Sequence, residues 1–107
     1  MSLRPPSQYT LSALTGSGVA ALSAIDTEVA AEKASSLGRA GERVEQSLRR
    51  LSAIDPSDPD RANALKSAAA AVYAYFIQRE LCGLRRHEQA IRDYAIPQEV
   101  LVRLGAS

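Results

Sequence analysis

Apolar residues recur at intervals of three and four along two long stretches of this chain, with a proline- and aspartate-rich turn between them. Successive residues of an α-helix lie about 100° apart, so this spacing gathers side chains on one side of a helix. Between residues 19 and 54, the positions Leu22, Ile25, Val29, Leu37, Ala40, Val44, Leu48, Leu51 and Ile54 fall on one broad stripe. Beside it runs a row of small residues, Ala30, Ala34, Gly38 and Gly41, which predicts close approach of a partner backbone. The unbroken stripe favours one continuous helix over a kink at Gly38, although each helical glycine costs about 1 kcal/mol relative to alanine.

The string Asp55-Pro56-Ser57-Asp58-Pro59-Asp60 ends that helix, because each proline lacks a backbone donor and disfavours helix in the residue before it. Residues 55–58 are predicted as the turn. Asp58 is placed to cap the next helix, Pro59 suits its first position, and Asp60 sets a negative charge at the positive end of its dipole. The second helix is predicted over residues 59–94, with Leu65, Ala69, Val72, Phe76 and Leu84 in its apolar sector. Tyr73, Ile77 and Leu81 widen that sector beyond what a single neighbouring helix covers. Gly83 is the one position where this helix could break. The period continues through Leu84, His87, Glu88, Ile91 and Tyr94 or Ala95, which favours continuation.

Pro97 must end any such helix and suits the start of a short one over residues 97–104, with Glu99 in its first turn, Arg103 in its last and Gly105 closing it. Val100, Leu101 and Leu104 make this segment a lid over the wide face of the second helix. Residues 1–17 carry Pro5, Pro6 and Gly16 among serines and threonines and read as a tail, flexible or loosely docked through Leu11 and Leu14. Residues 18–107 are then a single helical domain. The expected fold is all-α, a long antiparallel helical hairpin with a short C-terminal helix. A tight connection would bring Leu48 opposite Leu65, Gly41 opposite Val72, Gly38 opposite Tyr75, Leu37 opposite Phe76 and Lys33 near Glu80.

Composition bears on how such a hairpin is stabilised. In 107 residues there are four tyrosines, one phenylalanine and no tryptophan, so the core is mainly aliphatic and thin. Together with the over-wide second helix, this predicts a homo-oligomer, most simply two hairpins forming a four-helix bundle. A formal net charge of +1, with both signs interspersed, gives no field for a polyanion, and nucleic acid is not favoured as a partner. Met1-Ser2-Leu3-Arg4-Pro5-Pro6 holds no apolar run like that of a signal peptide, and the apolar run over residues 68–77 is too short to span a bilayer. No membrane partner is expected. The lone Cys82 agrees with a reducing compartment, and the expected location is the cytoplasm.

Candidate chemistry is sparse. His87 is the only histidine, and its surroundings show neither a Glu-x-x-His pair nor a His-Glu-x-x-His motif, so no metal is expected. Cys82 and His87 are five residues apart with no third orienting group, which does not suit a nucleophile and its base. No nucleotide-binding or zinc motif occurs and no cofactor is expected. An enzyme built on Glu80, His87 or Asp93 would need one of these buried with a partner. The remaining candidates are a structural ion pair, Lys33 with Glu80, and a binding cluster of Arg79, Glu80, Arg85, Arg86, His87 and Arg92. The arginines could hold an anion or a nucleic-acid backbone. Interleaved Glu80, Glu88 and Asp93, with Glu88 and Arg92 one helical turn apart, could instead answer that charge internally.

The run Gln78-Arg79-Glu80-Leu81-Cys82-Gly83-Leu84-Arg85, with Ile91-Arg92-Asp93-Tyr94-Ala95-Ile96-Pro97-Gln98-Glu99-Val100-Leu101 and Arg103-Leu104-Gly105, resembles a small uncharacterised bacterial all-helical family, a domain of unknown function. The likeness is strongest over residues 78–105 and implies no activity. It points to residues 79–94 as a region of interest, for folding or for binding. The reading most consistent with the residues is a self-associating interaction or scaffolding module. The alternative is a regulatory binder of nucleic acid or another anion through residues 79–92.

Overall fold

The computed structural model describes the backbone of residues 19–104 and the side chains of residues 23–104. The tail expected over residues 1–17, the side chain of the stripe residue Leu22 and the closing Gly105 lie outside what is described. Four helices follow one another: α1 (Val19–Ala53), α2 (Arg61–Leu81), α3 (Glu88–Asp93) and α4 (Gln98–Leu101). No strand occurs among the described residues. The chain divides into two compact units, Met1–Glu32 and Lys33–Ser107, with α1 contributing to both.

In the first unit, residues 23–32 are helical and exposed. The Thr27 hydroxyl donates to the Ser23 carbonyl at 2.9 Å, a bond made within the helix itself. Ile25 and Val29, on the apolar stripe, are 54% and 48% exposed. The stripe is thus covered only further along the helix.

In the second unit the long helices pack together. Ala40, Val44 and Leu51 of α1 meet Ala64, Leu65, Ala68, Ala69, Val72 and Tyr75 of α2, joined by Ala90, Ile96 and Val100. Leu37, Leu48, Ile54 and Phe76 border this core. Val44, Val72 and Val100 are fully buried, and each such side chain stabilises the fold by roughly 1.5–3 kcal/mol.

The register differs from the expected one. A Cβ on Gly41 would collide with the Tyr94 hydroxyl and touch the Tyr75 ring, whereas one on Gly38 would meet nothing within 4 Å. Gly41, not Gly38, is the glycine that admits an aromatic neighbour. The Cys82 thiol, rather than Glu80, reaches the Lys33 backbone, donating to its carbonyl at 3.9 Å. Both shifts have one source, a longer connection than a tight turn.

That connection is a pair of aspartate-closed turns. Asp55 Oδ1 accepts the Ser57 N–H at 2.9 Å and its hydroxyl at 2.6 Å, and these bonds lower the Asp55 pKa. Asp58 Oδ1 accepts the Asp60 N–H at 2.8 Å, while the Arg61 N–H closes onto the Asp58 carbonyl at 3.0 Å. Asp58 thus satisfies a backbone donor ahead of α2, the service expected of it as a cap, while the regular α-helix starts at Arg61 instead of residue 59. Asp60 holds the N-cap position without a side-chain cap bond; its carboxylate accepts from Asn63 and Arg50, which lower its pKa.

Continuation of α2 to residue 94 does not occur: the helix ends at Leu81. The Leu84 N–H bonds to the Arg79 carbonyl at 2.9 Å and the Gly83 N–H to the Glu80 carbonyl at 3.0 Å, with Gly83 at φ 88°. This six-to-one and five-to-two pairing satisfies two orphan carbonyls and needs a left-handed residue, which glycine supplies without strain. The same closure ends α3, where Ile96 N–H meets the Ile91 carbonyl at 3.0 Å and Ala95 takes φ 51°. Here an alanine occupies the left-handed position.

Pro97, extended at φ −66° and ψ 150°, precedes α4, and the α-helix proper is shorter than residues 97–104. Arg103 and Leu104 continue it as tighter turns, bonding to the carbonyls of Val100 and Leu101 at 3.1 Å each. Arg61 and Glu99 form a bidentate pair at 3.0 and 2.8 Å that ties the start of α2 to α4 and lowers the Glu99 pKa. Val100 is completely buried in the core. The lid thus lies on the core side of α2 and leaves Tyr73, Ile77 and Leu81 uncovered.

Candidate functional site

The last turns of α2 present Tyr75, Phe76, Arg79 and Glu80 to the segment that returns after Gly83. His87 comes back against them. Its ring stacks on Phe76, with centroids 4.2 Å apart and planes 3° from parallel. Arg79 Nε donates to His87 Nδ1 at 3.1 Å, and Arg79 Nη2 donates to the Arg86 carbonyl at 2.7 Å. His87 Nε2 lies 3.0 Å from Glu80 Oε2. The Arg79 guanidinium also sits 5.8 Å from the centre of the Tyr75 ring.

This geometry decides the histidine tautomer. Guanidinium nitrogens only donate, so Nδ1 must accept, and the ring proton resides on Nε2, where it is given to the Glu80 carboxylate. Both ring nitrogens are occupied. The imidazole side chain is 16% exposed, while Glu80 is 50% exposed. His87 is thus enclosed with partners, as an acid–base residue would be, but it has no lone pair left to take a substrate proton. The cluster is a clamp holding the chain reversal.

Glu80 answers His87 instead of Lys33, so the ion pair expected between Lys33 and Glu80 gives way to this contact. The shifted register is the cause. Of the other arginines, Arg86 enters the clamp through its carbonyl, Arg85 lies exposed, and Arg92 donates to Gln89 at 3.0 Å in place of the expected partner Glu88. Gln89 in turn donates to Asp93 at 2.7 Å. The structure therefore brings Arg79, Glu80 and His87 together and leaves Arg85 and Arg92 outside the group. Cys82 is a half-buried free thiol at the end of α2. Among the described residues, no three His, Cys, Asp or Glu side chains are grouped to hold a metal ion.

Behind the clamp, Tyr75 and Tyr94 meet edge to face with centroids 5.3 Å apart, over the gap left by Gly41. Burial, with a hydrogen bond to Tyr75, pushes the Tyr94 phenol up to about 12. Tyr94 also lines an open groove of about 370 Å³ with Glu45, Leu48, Arg49, Asp93 and Pro97. Its rim carries both signs of charge, and no buried polar side-chain atom among the described residues lacks a partner there.

The second notable surface is the outer face of α2. Tyr73, Ile77 and Leu81 stand at i, i+4 and i+8 and are 53%, 41% and 61% exposed, and Leu84 beyond the helix is 43% exposed. Successive positions four apart form a continuous row on a helix. Exposed single apolar residues are ordinary, whereas these side chains form one contiguous row. No helix of the described residues is long and apolar enough to cross a membrane.

Sequence reasoning missed the pairings of Phe76 with His87 and of Tyr94 with Gly41. Their signal was present only as aromatics near glycines, which does not specify partners.

Fold and surface together define a small all-α protein, a helical hairpin braced by a clamped C-terminal return, with one apolar helix face turned outward. The chain belongs to a family of unknown function (DUF6665), whose model matches residues 1–107. Comparisons with curated proteins and with solved structures gave no match.

Proposed function

We propose that the protein is a self-associating interaction module in which two hairpins join through the outer faces of α2 to make a four-helix bundle. The observation that carries this reading is the row Tyr73, Ile77 and Leu81, extended by Leu84, which the other described residues leave exposed. A helix apolar on both sides belongs inside an assembly. The thin core of the hairpin supports the same reading, since small helical units commonly gain stability by oligomerising. Cytoplasm suits the module, where the Cys82 thiol would stay reduced.

Light scattering coupled to size exclusion tests the proposal. At low micromolar concentration the chain of 11.4 kDa is expected to run at twice its mass. Ile77→Asp is expected to return it to a single chain with unchanged helical circular dichroism. A folded parent chain that stays monomeric at tens of micromolar would overturn the reading.

A further inference from the structure

Resting on this self-association reading, we infer that the two copies dock with their α2 helices antiparallel about a two-fold axis passing near Tyr73 and Ala74, so that Lys66 of each copy meets Glu80 of the other. The outer face of α2 consists of the residues within about 60° of Ile77 around the helix axis. From the beginning to the end of α2 these are Ala62, Asn63, Lys66, Ala70, Tyr73, Ala74, Ile77, Glu80 and Leu81, all exposed. Only two of them are charged. Lys66 lies toward the start of the face and Glu80 at its end, with opposite signs.

That polarity decides the direction of pairing. A parallel pair would set Lys66 beside Lys66 and Glu80 beside Glu80, whereas an antiparallel pair forms two Lys66–Glu80 contacts by symmetry. Glu80 can serve both its neighbours. Its Oε2 receives His87, and its Oε1 has no hydrogen bond among the described residues. A register within one residue of the one that brings Lys66 to Glu80 sets Ile77 against Ala70 and Tyr73 against Ala74. Large side chains then enter the hollows left by small ones, as close helix packing requires.

Cysteine cross-linking on the full chain, in a Cys82→Ser background, reads this geometry directly. Tyr73→Cys and Ala74→Cys, beside the axis, are expected to form disulfide-linked dimers with themselves under mild oxidation. Ala70→Cys and Ile77→Cys sit about 10 Å along the helix from their own symmetry mates, beyond disulfide reach. They are expected to link poorly with themselves and at least fivefold better when the two variants are mixed. Lys66→Glu is expected to raise the dimer dissociation constant about 3–10-fold, less so in high salt. Equal self-linking at positions 70, 73 and 77 would overturn the antiparallel arrangement while leaving self-association standing. A dimer with no cross-link at any of these positions would place the contact elsewhere and overturn the assignment of this face. A parent chain that is monomeric by light scattering would remove the self-association reading itself, and this inference with it.

Discussion

The two faces of α2 are both rich in apolar side chains, yet the chain treats them in opposite ways. Inward, Ala64, Leu65, Ala68, Ala69, Val72 and Tyr75 are buried against α1, the C-terminal return and α4. Outward, Ala70, Tyr73, Ala74, Ile77 and Leu81 stay in contact with water. The inner face is mostly small, which allows helices to approach closely, and the outer face alternates small with large. Burial in the single chain is therefore decided by where the C-terminal return lies, and not by hydrophobicity alone.

The largest test of this contrast compares one substitution on each face. Val72→Asp places an unpaired carboxylate at a fully buried site and is expected to cost more than about 4 kcal/mol, enough to abolish a cooperative thermal transition. Ile77→Asp is expected to change the unfolding free energy by less than about 0.5 kcal/mol when both proteins are compared dilute enough to be monomeric. Equal losses for the two would mean that the outer face is folded against something within the chain.

The glycines of α1 sharpen the picture on the facing helix. Gly41→Ala drives a methyl group into the Tyr94 hydroxyl and is expected to cost about 1–3 kcal/mol in chemical denaturation, with part recovered by Tyr94→Phe. Gly38→Ala, with open space around it, is expected to stabilise by about 1 kcal/mol. A reversed order would place the close helix approach at Gly38 after all.

The two left-handed closures give smaller and opposite effects. Gly83→Ala is expected to cost roughly 1 kcal/mol, because φ 88° strains any side chain, and Ala95→Gly to gain about 0.5–1 kcal/mol by relieving the residue at φ 51°. Thermal denaturation of the single variants resolves changes of this size.

The effect confined to the narrowest conditions concerns Tyr94. Its folded pKa is raised from 10.0 to about 12, so its contribution to stability is full below pH 10 and is lost as pH rises toward 12. Denaturant midpoints measured at pH 9 and near pH 11.5 should fall more for the parent than for Tyr94→Phe.

Much of the architecture is legible in the amino-acid sequence. The 3.6-residue period located both long helices, the prolines located the reversal between them, and the excess width of the apolar sector announced the uncovered face. The period also misled at one point. Leu84, Ile91 and Tyr94 continue the helical spacing across Gly83, and nothing local distinguishes a tolerated glycine from a closing one. That single ambiguity concealed the clamp. In an unbroken helix Glu80 and His87 lie about 10 Å apart, so only the reversal at Gly83 can bring them within hydrogen-bond range. The register slipped for a different reason, since Asp55 and Asp58 lengthen the turn through side-chain bonds that composition suggests but does not count.

Arg85 and Arg86 stand side by side in an exposed stretch and would be an obvious target for a trypsin-like protease. Cleavage after Arg86 requires its carbonyl to enter the protease's oxyanion hole, yet that oxygen is held by Arg79 at 2.7 Å. The bond after Arg86 can be cut only while the clamp is open, so its rate of nicking follows the population in which the reversal stands open. Limited proteolysis at this bond thus becomes a gauge of this corner of the molecule, faster in Arg79→Ala.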